Sequence, residues 1–219
     1  MPSRHPSSTG PIPGDGEAVS VRRHVERFHV GGNVQDEDWI ASEIPVALHY
    51  NDHAHVVMMA TPMDLEDFAL GFSLSEAIIE SSQEFESFRV QERLEGIEIH
   101  MRIPEGRAEA VALRQRNLSG RSSCGLCGTQ QLEDVVRHPP VVGDGPIVAS
   151  ANLHKALTAL DLAQPLNSQT GATHAAAWAV SSGKLILVRE DVGRHNALDK
   201  LIGAMAKRAI PVNEGFLIL

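Results

Sequence analysis

Ala175-Ala176-Ala177-Trp178-Ala179-Val180, then Ser181-Ser182-Gly183, then Lys184-Leu185-Ile186-Leu187-Val188-Arg189 is the stretch that sets the fold class. Two short apolar runs flank a turn-forming Ser-Ser-Gly, which reads as two strands joined by a tight connection. On the N-terminal side, Leu153, Leu157 and Leu160 recur at helical spacing and predict a helix from about Asn152 to Ala163. On the other side, Leu198, Leu201, Ile202 and Met205 share one face of a helix over Asn196 to Met205, and Phe216 to Leu219 form a last apolar strand. The order helix, strand, strand, helix, strand predicts a three-layer α/β domain.

The first half reads as a smaller α+β unit. Val46 to Tyr50 and His55 to Ala60 are strand-like and meet across Asn51-Asp52, a hairpin turn pair. Thr61-Pro62-Met63-Asp64 supplies helix-start chemistry, and Leu65, Phe68, Ala69 and Phe72 carry a helical stripe up to about Glu80. Ile97, Ile99 and Met101 alternate with polar residues as in a half-buried strand, and Ala108 to Arg116 reads as helix. His49, His53 and His55 recur on a two-residue period and could suggest a metal, but they are read as non-ligating. The expected organisation is a disordered tail over 1–18, an N-terminal α+β domain over 19–105 and an α/β domain over 106–219.

Composition narrows the class. The 219 residues carry a formal charge of -9, which argues against a general nucleic-acid or membrane-surface role. Aromatics make up only 4%, so Leu, Val, Ile and Ala must fill the core. No apolar run approaches the ~20 residues of a membrane span. Met1 to Glu17 is rich in Pro, Ser and Gly and lacks an apolar signal region, so the expected compartment is the cytoplasm.

Cys124-Gly125-Leu126-Cys127 holds the only two cysteines of the chain. In a reducing compartment such a pair serves as half of a zinc site, as a dithiol switch, or as a sulfur-carrying thiol with a helper. Thr129 to Arg137 reads as a short helix that begins just after the second thiol; its dipole would favour the thiolate. Gly125 and Gly128 leave room around the sulfurs. Arg102, Arg107, Arg114, Arg116 and Arg121 form a basic run that could stabilise a thiolate or receive phosphates, although such a run is usually a solvated face. A structural zinc would need a second ligand pair, and none stands at suitable spacing. His24-Val25-Glu26 matches the H-x-E of zinc deaminases by letter, yet Ser123 occupies the position where those proteins carry proline. A thioredoxin-like CxxC follows a buried strand, whereas Arg116 to Ser123 is polar.

A second polar group sits at strand and helix edges: Gly171-Ala172-Thr173-His174, and Arg189-Glu190-Asp191-Val192-Gly193-Arg194-His195-Asn196. Asn196 reads as a helix cap with Asp199 in the first turn. Arg194 and His195 sit at the expected helix N-terminus, a natural anion site.

These motifs, Ser122 to Gly128, Thr173-His174-Ala175-Ala176 and Arg189 to Lys200, closely resemble the FdhD/NarQ family of formate dehydrogenase accessory proteins, as does Ala69-Leu70-Gly71-Phe72-Ser73-Leu74-Ser75-Glu76 upstream. The resemblance covers Glu43 to Leu219. It implies a sulfurtransferase that takes persulfide sulfur from a cysteine desulfurase on Cys124, helped by Cys127, and delivers it to the bis-molybdopterin guanine dinucleotide molybdenum cofactor of formate dehydrogenase. It also implies a cytidine-deaminase-like C-terminal domain without permanent metal, a homodimer, and cofactor contacts from Arg121, His174, Arg194 and His195. Family chains continue beyond the strand at Phe216 to Leu219, so the resemblance implies a truncated C-terminal domain here. Two other readings stay open: a non-catalytic cofactor-binding chaperone, and a zinc-binding deaminase-fold protein.

Overall fold

A computed structural model describes residues 18–118, 141 and 143–219. Arg121, Cys124 and Cys127 lie outside the described residues, as does the expected helix over Thr129 to Arg137. Within the described residues the chain is a mixed α/β protein with three sheets and five α-helices.

Strands β1 (Ser20–His29) and β2 (Gly32–Ala41) form a two-stranded antiparallel hairpin that sequence reading missed. Gly31 and Gly32 close its turn at φ of 117° and 144°, which only glycine takes without strain. Its residues are mostly solvent-facing and tied by charged rungs such as Arg22 to Glu37 at 2.7 Å. Charge on both faces erases the alternation by which a strand is recognised. His24 and Glu26 lie on this exposed hairpin, and His24 faces Glu37 at 3.6 Å.

Strands β3 (Ile44–Tyr50) and β4 (His53–Ala60) form the expected hairpin. Asn51 and Asp52 both take positive φ, 46° and 68°, the conformation that such a two-residue turn demands. Strands β5 (Ser87–Arg93) and β6 (Gly96–Arg102) complete a sheet of order β4-β3-β6-β5, in which β3 and β6 run parallel. Ile97, Ile99 and Met101 point inward as the alternation predicts, opposite Val46, Leu48 and Tyr50.

Helix α1 (Leu65–Ser75) covers this inner face with Leu65, Phe68, Ala69 and Phe72. It stops short of Glu80. Ala77 turns left-handed, and the Ile78 N–H bonds back to Ser73 O at 2.8 Å, a Schellman closure that swings Ile78 and Ile79 into the core. Asp64 stands at the helix start but makes no side-chain cap; its carboxylate lies 3.5 Å from Arg189 instead. Helix α2 (Glu105–Leu118) adds Ala108 and Val111 to the same core.

The third sheet confirms the strand reading around Ser181-Ser182-Gly183. Strands β7 (His174–Val180), β8 (Leu185–Asp191) and β9 (Gly215–Ile218) pair antiparallel in the order β8-β7-β9. Ala176 and Trp178 face helix α5 (Arg194–Lys207), while Ala177 and Ala179 face helix α3 (Ser150–Leu162). Helices therefore cover both faces. Helix α3 departs from the expected leucine stripe: Leu153 and Leu157 are 40% and 50% exposed, and Ala156 and Leu160 make the sheet contact. Ala177 and Ala179 of the sheet lie in the same cluster as Ile218, and α3 meets them through Ala156 beside Leu160. A short helix, α4 (Pro165–Thr170), precedes β7.

The two sheets are joined by α1 crossing α5 at glycines. A Cβ on Gly71 would lie 1.7 Å from Asp199 O, and one on Gly203 would lie 1.9 Å from Asp67 O. Backbone meets backbone here, and any side chain would force the helices apart.

Candidate functional site: the β8–α5 turn

The turn from β8 into α5 is built on a buried ion pair. Lys200 and Asp191 are both 0% exposed, with Nζ 2.7 Å from Oδ2. A charge taken fully out of water must be paired and hydrogen-bonded, and each partner here is. Lys200 Nζ also donates to Thr61 O (3.0 Å) and Glu190 O (3.3 Å). Asp191 accepts from the Thr61 N–H (3.0 Å), the Gly193 N–H (2.7 Å) and Asn196 Nδ2 (3.1 Å). Asn196 Nδ2 donates as well to Met59 O at 2.8 Å, and the Val192 N–H donates to Thr61 Oγ1 at 3.1 Å. The network clamps the turn onto the end of β4.

Neighbouring residues are equally committed. Glu190 accepts the Leu166 and Asn167 N–H groups at 3.1 and 2.7 Å, anchoring the start of α4, and the Thr173 hydroxyl at 3.2 Å. Burial pushes its carboxyl up, while those backbone donors pull it down. Arg189 donates through Nε and Nη2 to Asp67 Oδ2 at 2.9 and 2.6 Å. The Ser75 hydroxyl donates to Asp199 Oδ1 at 2.8 Å, and burial raises that carboxyl too.

The cap reading of Asn196 and Asp199 is therefore corrected. Helix α5 begins at Arg194 with Gly193 as its N-cap, so Asn196 lies inside the first turn and holds Asp191. Asp199 binds α1 instead of the helix end. The basic run also changes meaning at Arg107, whose guanidinium is 2.9 Å from Glu84 and 2.8 Å from Glu80. That charge is already balanced.

Arg194 and His195 occupy the first turn of α5, and both are exposed. His174, also exposed, opens β7 and lies in register with Asp191, so it stands at the same end of the sheet. Three of the sequence-predicted residues thus gather at one edge, where the helix N-terminus adds partial positive charge. Lys200 balances the charge of Asp191 beneath this edge. The chemistry of such an edge suits an anion. Sequence reading missed Lys200, Thr61 and Asp67. Lys200 carried one signal: it recurs with Ala197, Leu201 and Ala204 on the buried face of α5.

Fold and edge together define a mixed α/β protein with a cationic, solvent-facing helix N-terminus held by a buried ion pair. A family profile described as FdhD/NarQ family matches residues 41–219, and the chain belongs to that family. It is 50% identical over 214 residues to the Sulfur carrier protein FdhD of Xanthomonas euvesicatoria pv. vesicatoria strain 85-10, covering 98% of this chain and 74% of that one. It is 42% identical over 207 residues to the protein of the same name from Variovorax paradoxus strain S110, covering 94% and 72%. A crystal structure described as a formate dehydrogenase accessory protein from Desulfotalea psychrophila shares the fold, with TM-score 0.66 at 22% identity over 91% of this chain and 73% of that one. No helix among the described residues is long and apolar enough to cross a membrane.

Proposed function

We propose that this chain is a cytoplasmic, homodimeric sulfur carrier for formate dehydrogenase, with a cytidine-deaminase-like C-terminal half. The observation that carries this reading is 50% identity, across 98% of the chain, to a protein named as a sulfur carrier. Cys124 thiolate attacks the outer sulfur of a cysteine desulfurase persulfide; a new S–S bond forms on Cys124, and the donor leaves as its thiolate. No net oxidation occurs in that step. Release as hydrosulfide needs two electrons, which Cys127 supplies by attacking Cys124 Sγ and closing a disulfide that a cellular dithiol later reduces. The acceptor is the bis-molybdopterin guanine dinucleotide molybdenum cofactor, bound as substrate. Arg194 and the α5 N-terminus suit its phosphates, with His174 and His195 at the same edge, and Arg121 is proposed as a further contact on its charge alone.

Intact mass after incubation with a cysteine desulfurase and cysteine tests the reading. Cys127→Ser gains and keeps one sulfur, Cys124→Ser gains none, and the parent, once excess cysteine is removed, releases its added sulfur as hydrosulfide while closing the Cys124–Cys127 disulfide. Absence of an adduct in every form would overturn sulfur carriage and leave the non-catalytic cofactor-binding reading, which the exposed Arg194 and His195 support by themselves.

A further inference from the structure

We infer that His49, Glu98 and His100 form a binding site for a divalent transition-metal ion on the outer face of the four-stranded sheet. The site lies on a different sheet from the β8–α5 edge, and it does not depend on the sulfur-carrier reading.

Glu98 and His100 are two residues apart on β6, so both project from the same face. His49 on β3 is the parallel-register partner of His100. The arrangement therefore places two donors along one strand and a third across from them. One ligand atom from each residue lies within 4.8 Å of the others. Around a metal at the usual bond lengths such atoms stand roughly 3.4 Å apart, a distance that small side-chain rotations reach.

The two imidazoles already stack, with ring centroids 4.6 Å apart and planes at 21°. His100 Nε2 is 3.2 Å from Glu98 Oε2. Arg93 donates to that same oxygen at 3.0 and 3.1 Å, which orients the carboxylate in the way a supporting partner orients a metal ligand. His100 Nδ1 is buried with no hydrogen-bond partner among the described residues. A buried ring nitrogen left this way carries an unmet desolvation cost, and a metal bond or the reorientation that accompanies one removes it.

The backbone is rigid at this point because β3 and β6 are the central pair, with Leu48, Tyr50, Ile99 and Met101 packed on the opposite face. Two imidazoles and one carboxylate suit zinc or its neighbours in the first transition row, in contrast to calcium and magnesium, which prefer all-oxygen sets. Three protein ligands leave a coordination position open to water or a small anion. Of the hairpin histidines only His49 belongs to the site, and the fold supplies its carboxylate and second imidazole from β6.

The test must remove the thiols, which bind zinc themselves. Full-length protein carrying Cys124→Ser and Cys127→Ser is stripped with a chelator and titrated with zinc against a chromogenic competitor. One equivalent is expected to bind. His49→Ala and Glu98→Ala, checked for fold by circular dichroism, each weaken binding at least about tenfold. His53→Ala, on the exposed start of β4, leaves it unchanged. Cobalt substituted for zinc should give visible absorption without a thiolate charge-transfer band. Failure of the thiol-free protein to compete for zinc would overturn the assignment, and so would binding unaltered in a His49→Ala, Glu98→Ala double variant.

Discussion

Replacing Lys200 with methionine removes one partner of a charge pair that has no solvent exposure on either side. Asp191 then loses the ammonium 2.7 Å from its Oδ2 but keeps donors from Thr61, Gly193 and Asn196. Thr61 O and Glu190 O lose a donor as well. Removing one side of a buried pair costs about 3–5 kcal/mol. The three remaining donors to Asp191 place the expected loss at the lower end, about 3 kcal/mol, or roughly 6–12 °C in Tm for a chain of this size. The companion double variant, Lys200→Met with Asp191→Asn, takes away the stranded charge while keeping an oxygen for Gly193. It should recover about 2 kcal/mol of the loss. Thermal and urea unfolding of the parent, both single variants and the double variant give the coupling directly. A Lys200→Met loss under about 1 kcal/mol, or strictly additive single effects, would refute the view that this pair holds the β8–α5 turn.

Two other outcomes follow from the same packing. Gly203→Ala puts a Cβ 1.9 Å from Asp67 O, so the α1–α5 crossing must open; a loss of about 3 kcal/mol or more is expected in thermal melts, and a change under about 1 kcal/mol would contradict the backbone contact. Burial lowers the pKa of His55 below its ordinary 6.5, with Glu76 pulling weakly the other way. The unfolded chain then binds that proton first, so the stability His55 contributes is complete above about pH 6.5 and is lost as pH falls toward the folded value. His55→Gln should therefore flatten the fall in Tm between about pH 7 and 5.5, and an unchanged slope would show that His55 is not the desolvated group. His49, lowered in the same direction, keeps part of the slope in that variant. The persulfide mass shift on Cys124 and zinc binding at His49, Glu98 and His100 complete the set.

Where one physical period dominated, the sequence was legible. The Asn51-Asp52 hairpin, the alternation of Ile97, Ile99 and Met101, and the strand pair around Ser181-Ser182-Gly183 all appear as read. The β1–β2 hairpin was hidden because both of its faces are wet and charged. Helix α3 was found, but of its leucine stripe only Leu160 is buried, beside Ala156, since period alone does not say which of the neighbouring residues the sheet accepts.

By itself, the sequence determined the alternation of helices and strands, the singular CxxC and the run from Arg189 to Lys200 on which the family resemblance rests. Only the tertiary structure decided what each residue of that run does. Arg189, Glu190, Asp191, Asn196 and Lys200 turn inward to Asp67, α4, Thr61 and one another, and Arg194 and His195 are left facing solvent. Likewise, Glu98 reaches His49 only because β3 and β6 run parallel at the centre of one sheet. Pairings of this kind join residues far apart along the chain, and no local spacing records them; they exist only once burial has fixed which faces and strands are neighbours.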